Sequence, residues 1–269
     1  MKAHIAIFRA LVLCWLFSAT VASPIDALRF DLGLTVPSFL NFLLPDPLDV
    51  PIPNHRVSAA SSATPDESAG EMVGWFDPRA NGGRLLDYTT KKYGEPLNVI
   101  ISGSSDPYVL TDEGFHDYAK SLGYSEECLG MHSGHLHDAN LGDGNGRTTE
   151  LFLARQYYFP IWGTCWESLA GGQHFRAWKQ NGTMANSGAW FIGASKEHDS
   201  SRNHAIVPDG YNLGRDWFVD RAIEGRRWKS MWWKADLAWR NDLLEEGRKG
   251  VNHGIAQDGR VAILTVHRL

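Results

Sequence analysis

Two consecutive segments of this 269-residue chain alternate apolar and polar residues, which is the period of a β-strand. The segments cover residues 173–180 and 187–195, and the link between them contains Asn181-Gly182, a pair typical of tight turns. The pattern predicts a β-hairpin, so the fold must include an antiparallel pair of strands.

The segments that precede the hairpin predict a strand and a helix. Residues 97–102 form a nearly continuous apolar run that ends at Gly103, which suits a buried strand. Thr111 can cap a following helix, which begins with two acidic residues and meets its stop at Gly123.

The segments that follow the hairpin predict a helix over residues 214–225 and a strand over residues 261–266. Residues 231–246 fit either an extended segment or a helix, and the run Leu243-Leu244-Glu245-Glu246 favours the helix. No internal repeat is visible. We therefore predict one α+β domain with a mixed or antiparallel sheet and a few helices.

The first 22 residues predict a secretory signal peptide. Lys2 and Arg9 precede the apolar run 10–17, and small residues after this run lead to a cleavage site after Ala22. The run is much shorter than the roughly 20 residues that cross a bilayer. We therefore expect a secreted, extracellular protein without a membrane span.

Residues 23–71 predict a Pro/Ser-rich leader that is partly disordered, followed by the globular domain over residues 72–269. Within the leader, residues 28–48 are apolar enough to dock on the domain or on a partner. Residues 57–70 have little apolar surface to bury.

The net charge of −5 becomes −7 when Lys2 and Arg9 leave with the predicted signal. Proteins that bind nucleic acids need a basic face, and this chain has only short basic clusters, so we expect no nucleic-acid partner. Cleavage also removes Cys14. In an oxidising compartment the remaining Cys128 and Cys165 should form a disulfide, the alternative being two separately buried thiols.

Asn181-Gly182-Thr183 is an acceptor sequence for an N-linked glycan, and we expect Asn181 to carry it on a surface turn. The chain also has 11 tryptophans, well above average usage. Most should belong to the core. Extracellular sugar-binding surfaces also use tryptophan, so a carbohydrate ligand stays open.

Standard signatures of common hydrolases and nucleotide-binding folds are missing, including Gly-x-Ser-x-Gly, His-Glu-x-x-His and a phosphate loop. Polar residues gather instead on the hairpin and just after it. His174, Arg176 and Trp178 should share one face of the first hairpin strand. Arg215-Asp216 opens a predicted helix, whose amino terminus suits a carboxylate or phosphate.

Seven short motifs in a fixed order resemble the LssY carboxy-terminal domain family, over residues 95–266. They are Pro96-Leu97-Asn98-Val99, Leu151-Phe152-Leu153-Ala154-Arg155-Gln156, His174-x-Arg176-x-Trp178, Trp190-x-x-Gly193-Ala194, His204-x-Ile206-x-Pro208-Asp209, Arg215-Asp216 and Asp258-Gly259-Arg260-Val261. In bacteria that domain follows a membrane phosphatase-like region with no counterpart in this sequence. The resemblance therefore implies a domain and not a reaction.

The polar residues lead to one hypothesis about a site, and the resemblance covers most of them. His204 would act as a general base oriented by Asp209 or Asp216, and Arg176 with His174 would bind an anionic group. The predicted catalytic residues are His204, Asp209, Asp216 and His174, and the predicted ligand-binding residues are Arg176, Arg215, Trp178 and Trp190.

A structural explanation of the same residues is also open. Arg215 and Asp216 would then form an ion pair at the start of a helix, and His174 and Arg176 would lie on a solvated sheet face.

Two tracts near residue 140 partly match metal sites. His135 and His137 would share a face if extended, as zinc ligands often do, but His132 is out of register. Residues 138–150 approximate a calcium loop that has one residue too many between two ligand positions. We expect a His-rich loop and a Gly-rich turn here, and no metal or other cofactor.

Two functions follow as expectations. In the first, a cleft formed by the hairpin and residues 204–216 binds a small anionic or polar ligand, and an enzyme with such a cleft would hydrolyse a phosphate or carboxylic ester. In the second, a non-catalytic extracellular protein binds a carbohydrate or a protein partner through surface tryptophans. An exposed coplanar row would favour the second function, and its members would be Trp162, Trp166, Trp228, Trp232 and Trp233.

Overall fold

A computed structural model describes residues 74–128, 135–159 and 163–269. The predicted signal peptide, the predicted leader, His132 and Trp162 lie outside the described residues.

A mixed sheet of seven strands forms the centre of the domain, in the order β4-β5-β6-β1-β9-β8-β7, and β2 and β3 form a separate antiparallel pair. The strands β1 and β9 are parallel, and the other neighbours are antiparallel. The strands are β1 Val99–Ile101, β2 Asp138–Asn140, β3 Arg147–Thr149, β4 Phe152–Arg155, β5 Gly172–Lys179, β6 Trp190–Glu197, β7 Arg226–Trp228, β8 Met231–Arg240 and β9 Val261–Arg268.

In the described part of the chain three α-helices accompany the sheet, which confirms the predicted α+β class. They are α1 Asp112–Ser121, α2 Cys165–Ala170 and α3 Gly210–Glu224. Helix α1 begins as the sequence predicts, because Thr111 Oγ1 accepts a hydrogen bond from Gly114 N at 3.0 Å. Short 3₁₀ turns cover Pro78–Asn81, Ser200–Arg202 and Asn252–Gly254. Among the described residues, no helix has the length and apolar character required to cross a membrane.

The two faces of the sheet pack against different layers. Helices α1 and α3 cover one face and bury Phe115 and Phe218 against Phe175, Ile192 and other inward residues. On the opposite face Trp178 and Ile263 belong to a second core, which the segments around residues 75–85 and 243–244 complete.

The predicted hairpin is confirmed as β5 and β6, and the ambiguous segment proves to be mainly strand. Residues 231–240 form β8 because Trp233 and Ala235 are buried and residues 233–240 pair with β9. The expectation of a helix at Leu243 and Leu244 is wrong, since these residues fill the second core from a loop.

Helix α3 begins four residues before the predicted start at Gly214, and close packing explains why it contains two glycines. A Cβ atom added to Gly214 would lie 2.3 Å from the backbone Cα and C atoms of Ser195 on β6. Any side chain here would push the helix away from the strand. The glycines that weaken the helical pattern in the sequence are thus required by the contact between α3 and the sheet.

The substitution Gly214→Ala should lower the free energy of unfolding by about 2 kcal/mol or more, because the clash is with backbone atoms that cannot rotate away. The gain in helix propensity, about 1 kcal/mol, offsets only part of this cost. Urea denaturation followed by tryptophan fluorescence measures the change. Asp220→Ala on the exposed side of the same helix is the matched control, and equal stability of the two variants would contradict this account.

Candidate functional site

The sheet face that carries the second core has a polar half, and the strand register places the polar side chains in rows. Arg155 on β4 stands opposite His174 on β5, which stands opposite Ser195 on β6. Glu197 lies two residues further along β6 on the same face. Directly opposed residues of antiparallel strands share a face, so these side chains form one continuous surface. Arg155, His174 and Glu197 are all buried.

The Arg155 guanidinium lies at the centre of three carboxylates. Its Nε donates to Glu127 Oε1 at 3.0 Å, and its Nη1 lies 3.3 Å from Glu167 Oε1 and 2.5 Å from Glu197 Oε2. Buried charges persist only when they are paired, and this guanidinium pairs with all three carboxylates.

The disulfide between Cys128 and Cys165 holds two of these carboxylates in place. Glu127 directly precedes the first cysteine, and Glu167 follows the second by two residues on α2. The crosslink therefore joins the two segments that bring carboxylates to Arg155.

Burial raises the pKa of Glu167 to about 7, with the Arg155 charge opposing the shift and Glu197 adding to it. The side chain is fully buried, and its Oε2 has no hydrogen-bond partner within residues 74–128, 135–159 and 163–269. Burial, with the charges of Arg155 and Arg176, holds the pKa of His174 well below its usual range. A neutral imidazole and a carboxyl group that titrates near neutral pH thus lie on either side of Glu197.

His204 approaches the same carboxylates from the segment after β6. Its Nδ1 lies 3.5 Å from Glu167 Oε1 and 3.7 Å from Glu197 Oε2. Both Asn203 and His204 have a φ of 51°, in the left-handed region that residues with a Cβ rarely adopt. The surrounding contacts hold this strained turn, which brings the imidazole to the carboxylates.

A second charged group covers the neighbouring part of β5. His137 Nδ1 lies 2.8 Å from Asp87 Oδ2, and the His137 backbone N–H donates to Glu150 Oε2 at 2.9 Å. The other oxygen of Glu150 pairs with Arg176. Arg176 follows His174 on the same strand face, so the second group adjoins the first.

Glu95 belongs to this second group. Burial and the nearby charge of Asp87 raise the pKa of Glu95 to about 7. Its Oε1 accepts a hydrogen bond from Asn252 Nδ2 at 3.4 Å and lies 3.8 Å from His253 Nε2. The two groups together contain six carboxylates and two guanidinium groups, so the site is rich in negative charge.

A cleft of about 360 Å³ opens beside the first charged group, and Glu197 lines it. Gly172 also lines the cleft and lies next to Glu167. A Cβ atom added to Gly172 would be 3.1 Å from Glu167 Cγ. The wall also includes Gln173, whose buried Oε1 has no hydrogen-bond partner. Tyr157 and Trp166, which are 43% and 55% exposed, form the aromatic part of the rim.

The structure brings together three of the residues predicted from sequence. His174 and His204 both approach Glu197, and Arg176 lies beside His174. Asp209 lies elsewhere, exposed at the start of α3, where its Oδ1 accepts a hydrogen bond from Asn212 Nδ2 at 2.7 Å.

Arg215 and Asp216 form the ion pair that was considered as the structural alternative, at 2.8 Å. The Arg215 guanidinium also binds both carboxylate oxygens of Asp258, at 2.5 and 2.8 Å, and thereby ties α3 to the turn before β9. The carboxylates nearest to His204 are therefore those of Glu167 and Glu197, and not those of Asp209 or Asp216.

The two tryptophans predicted to bind a ligand are fully buried on opposite faces of the sheet. Trp178 packs in the second core. Trp190 stacks on Phe115 at a centroid distance of 4.2 Å, and its Nε1 donates to Val109 O. Neither lines the cleft.

The described tryptophans of the predicted sugar-binding row differ in exposure. Trp166 and Trp232 are exposed, Trp228 is half-buried, and Trp233 is fully buried because adjacent residues of β8 face opposite sides. Asn181, the predicted glycosylation site, is exposed in the loop between β5 and β6.

In the tract near residue 140, His135 is exposed whereas His137 is buried against Asp87. The acidic side chains expected to approximate a calcium loop accept hydrogen bonds from protein donors. Asp138 accepts one from Thr149, Asp143 accepts one from Asn145, and Glu150 binds Arg176 and the His137 backbone.

Sequence reasoning did not select several residues of the site. Arg155 belongs to one of the seven motifs but has no predicted role, and no local pattern marks Glu197, Asp87 or Glu95. Glu167 is the exception, since its position two residues after a predicted disulfide cysteine could have drawn attention to it.

No family model, no curated protein and no solved structure matches this chain. The resemblance to the LssY carboxy-terminal domain family stays a prediction, and the function must be argued from the geometry above.

The substitution Glu95→Gln should stabilise the protein more at pH 8 than at pH 5. The carboxyl group ionises near 4.5 when unfolded and near 7 when folded, so wild type loses stability as the pH rises between these values. Glutamine cannot ionise. The difference in unfolding free energy between variant and wild type should therefore grow by an amount on the order of 3 kcal/mol.

Urea titrations at the two pH values measure this difference. The control is Glu246→Gln at an exposed position, for which we expect no such change. A difference for Glu95→Gln that does not vary with pH would contradict the raised pKa.

Proposed function

We propose that this chain is a hydrolase that acts on a neutral polar substrate, such as a carboxylic ester, bound in the cleft beside Glu197. The observation that carries the proposal is that Glu197 joins the two parts of such a site. Glu197 lines the cleft, and its carboxylate contacts the side chains of Arg155, His174 and His204.

The charge of the site favours a neutral substrate over an anionic one. Carboxylates outnumber guanidinium groups by six to two, and both guanidinium groups are already paired with glutamates. A phosphate group would meet net repulsion in this region. Of the two ester classes expected from sequence, the carboxylic ester therefore fits better.

In this mechanism the proton acceptor is the group of Glu167, Glu197 and His204, here called the Glu–Glu–His trio. This trio takes a proton from a water in the cleft, the hydroxide attacks the ester carbonyl carbon, and the proton passes to the departing alkoxide. Lys196, which lines the same cleft, can stabilise the negative charge on the carbonyl oxygen.

The substitution Glu197→Gln should lower kcat/KM by about 100-fold or more, because it removes the carboxylate that links the cleft to the buried charges. A panel of neutral and phosphorylated chromogenic esters measures hydrolysis by wild type and variant. Glu197→Asp, which keeps the charge, should retain more activity than Glu197→Gln, and Glu246→Gln should behave as wild type. Equal activity of wild type, Glu197→Gln and His204→Ala would remove the trio from the mechanism.

A second candidate function, non-catalytic saccharide binding, is favoured by the rim of the cleft. Exposed aromatic side chains stack on sugar rings, and Gln173 offers a buried amide oxygen without a partner. In that case Trp166→Ala should weaken saccharide binding about tenfold, whereas Glu197→Gln should not abolish it. Trp232→Ala, at an exposed tryptophan outside the cleft lining, is the matched control, and isothermal titration with oligosaccharides measures the affinities. Equal affinity of Trp166→Ala and wild type would exclude this use of the rim.

A further inference from the structure

The Glu–Glu–His trio has the spacing of ligands around a shared metal ion. One candidate ligand atom from each residue lies within 4.8 Å of the others. His204 Nδ1 lies 3.5 and 3.7 Å from the nearest oxygens of Glu167 and Glu197, and it has no hydrogen-bond partner in the described part of the chain. Zinc bonds of about 2.0–2.1 Å separate tetrahedral ligands by roughly 3.4 Å, close to these distances. The atoms are too far apart for good hydrogen bonds and suitably placed to share a cation.

A second observation points to a missing positive charge. Glu167 is fully buried, and its Oε2 has no partner among the described residues. Arg155 Nη1 contacts both Glu167 Oε1 and Glu197 Oε2, so one guanidinium serves the two carboxylates of the trio. Buried acceptors without a donor are rare in folded proteins and call for a proton or a cation.

The surroundings of the trio resemble the outer layer of a metal site. His174 Nδ1 lies 3.3 Å from Glu197 Oε1 and 3.2 Å from Ser195 Oγ, so it can hold that carboxylate in orientation. Metal-binding carboxylates are commonly fixed by such neighbours. Glu197 also lines the cleft, so the trio adjoins the cleft through this residue.

We propose that Glu167, Glu197 and His204 bind one divalent cation of the zinc class, with a coordination position open to the cleft. One imidazole nitrogen and two carboxylate oxygens suit zinc and its first-row neighbours, and three protein ligands with a free position are typical of catalytic zinc sites. As a catalytic centre the ion rests on the hydrolase function proposed above, and it would then activate the water in place of proton uptake by the trio, whose ligand atoms it occupies. Binding of the ion does not.

The test measures zinc binding directly. The full chain, stripped of metal with a chelator, is titrated with zinc chloride by calorimetry, and bound metal is counted by elemental analysis after dialysis. We expect one equivalent of zinc per chain. Glu167→Gln and His204→Ala should each weaken the affinity at least about tenfold. Circular dichroism of the metal-free variants shows whether each one is folded.

Two control variants locate the ion. His135→Ala removes an exposed imidazole and should leave the affinity unchanged. His137→Ala alters the other candidate set of ligands, Asp87, Glu95 and His137, and should also leave it unchanged. No binding by wild type, or binding lost with His137→Ala and kept with His204→Ala, would overturn the proposal.

Ester hydrolysis before and after metal removal separates this inference from the proposed function. Stoichiometric zinc on the trio without hydrolysis supports the inference and counts against the hydrolase. Hydrolysis by a protein that binds no zinc overturns the inference and leaves the hydrolase standing.

Discussion

The interaction of Arg155 with Glu127, Glu167 and Glu197 is the constraint on which the candidate site depends. These four side chains come from β4, from the segment after α1, from α2 and from the end of β6, so the ion pairs connect most of the elements around the cleft. Burying one cation with three anions is costly unless the geometry is good, and the group therefore fixes these elements relative to one another. Burial in this group, with the charge of Glu197, raises the pKa of Glu167 against the opposing charge of Arg155.

The strand β5 explains how one sheet face can hold both a core and a charged site. On the face that carries the second core, the side chains of β5 run from His174 and Arg176 to Trp178. The opposing residues of β6 change from polar to apolar in the same direction, from Ser195 to Phe191. The polar half meets charged loops, and the apolar half meets the second core. A shift of one residue in this register would place Phe175 among the carboxylates and His174 in the core, so the site and the fold share one register.

Local patterns in the sequence predicted the elements that neighbouring residues determine. Helix α1 has its cap and stop within the segment, and the hairpin has its turn between the strands. Helix α3 was predicted too short because its glycines serve a contact with β6 that the sequence does not display. Within the site, β-strand alternation placed His174 and Arg176 on one face. Their carboxylate partners were missed because Arg155 meets glutamates 12, 28 and 42 residues away, and only the folded topology brings these together.

The disulfide has a chemical consequence beyond its restraint on the chain. Glu127 is adjacent to Cys128 and Glu167 lies two residues after Cys165, so the disulfide is a covalent link between the segments that carry these two carboxylates. Reduction would leave these segments joined by noncovalent contacts, among them the ion pairs with Arg155 and the hydrogen bond that Thr164 Oγ1 donates to Glu126 O. The arrangement of charges around Arg155 thus depends in part on thiol oxidation.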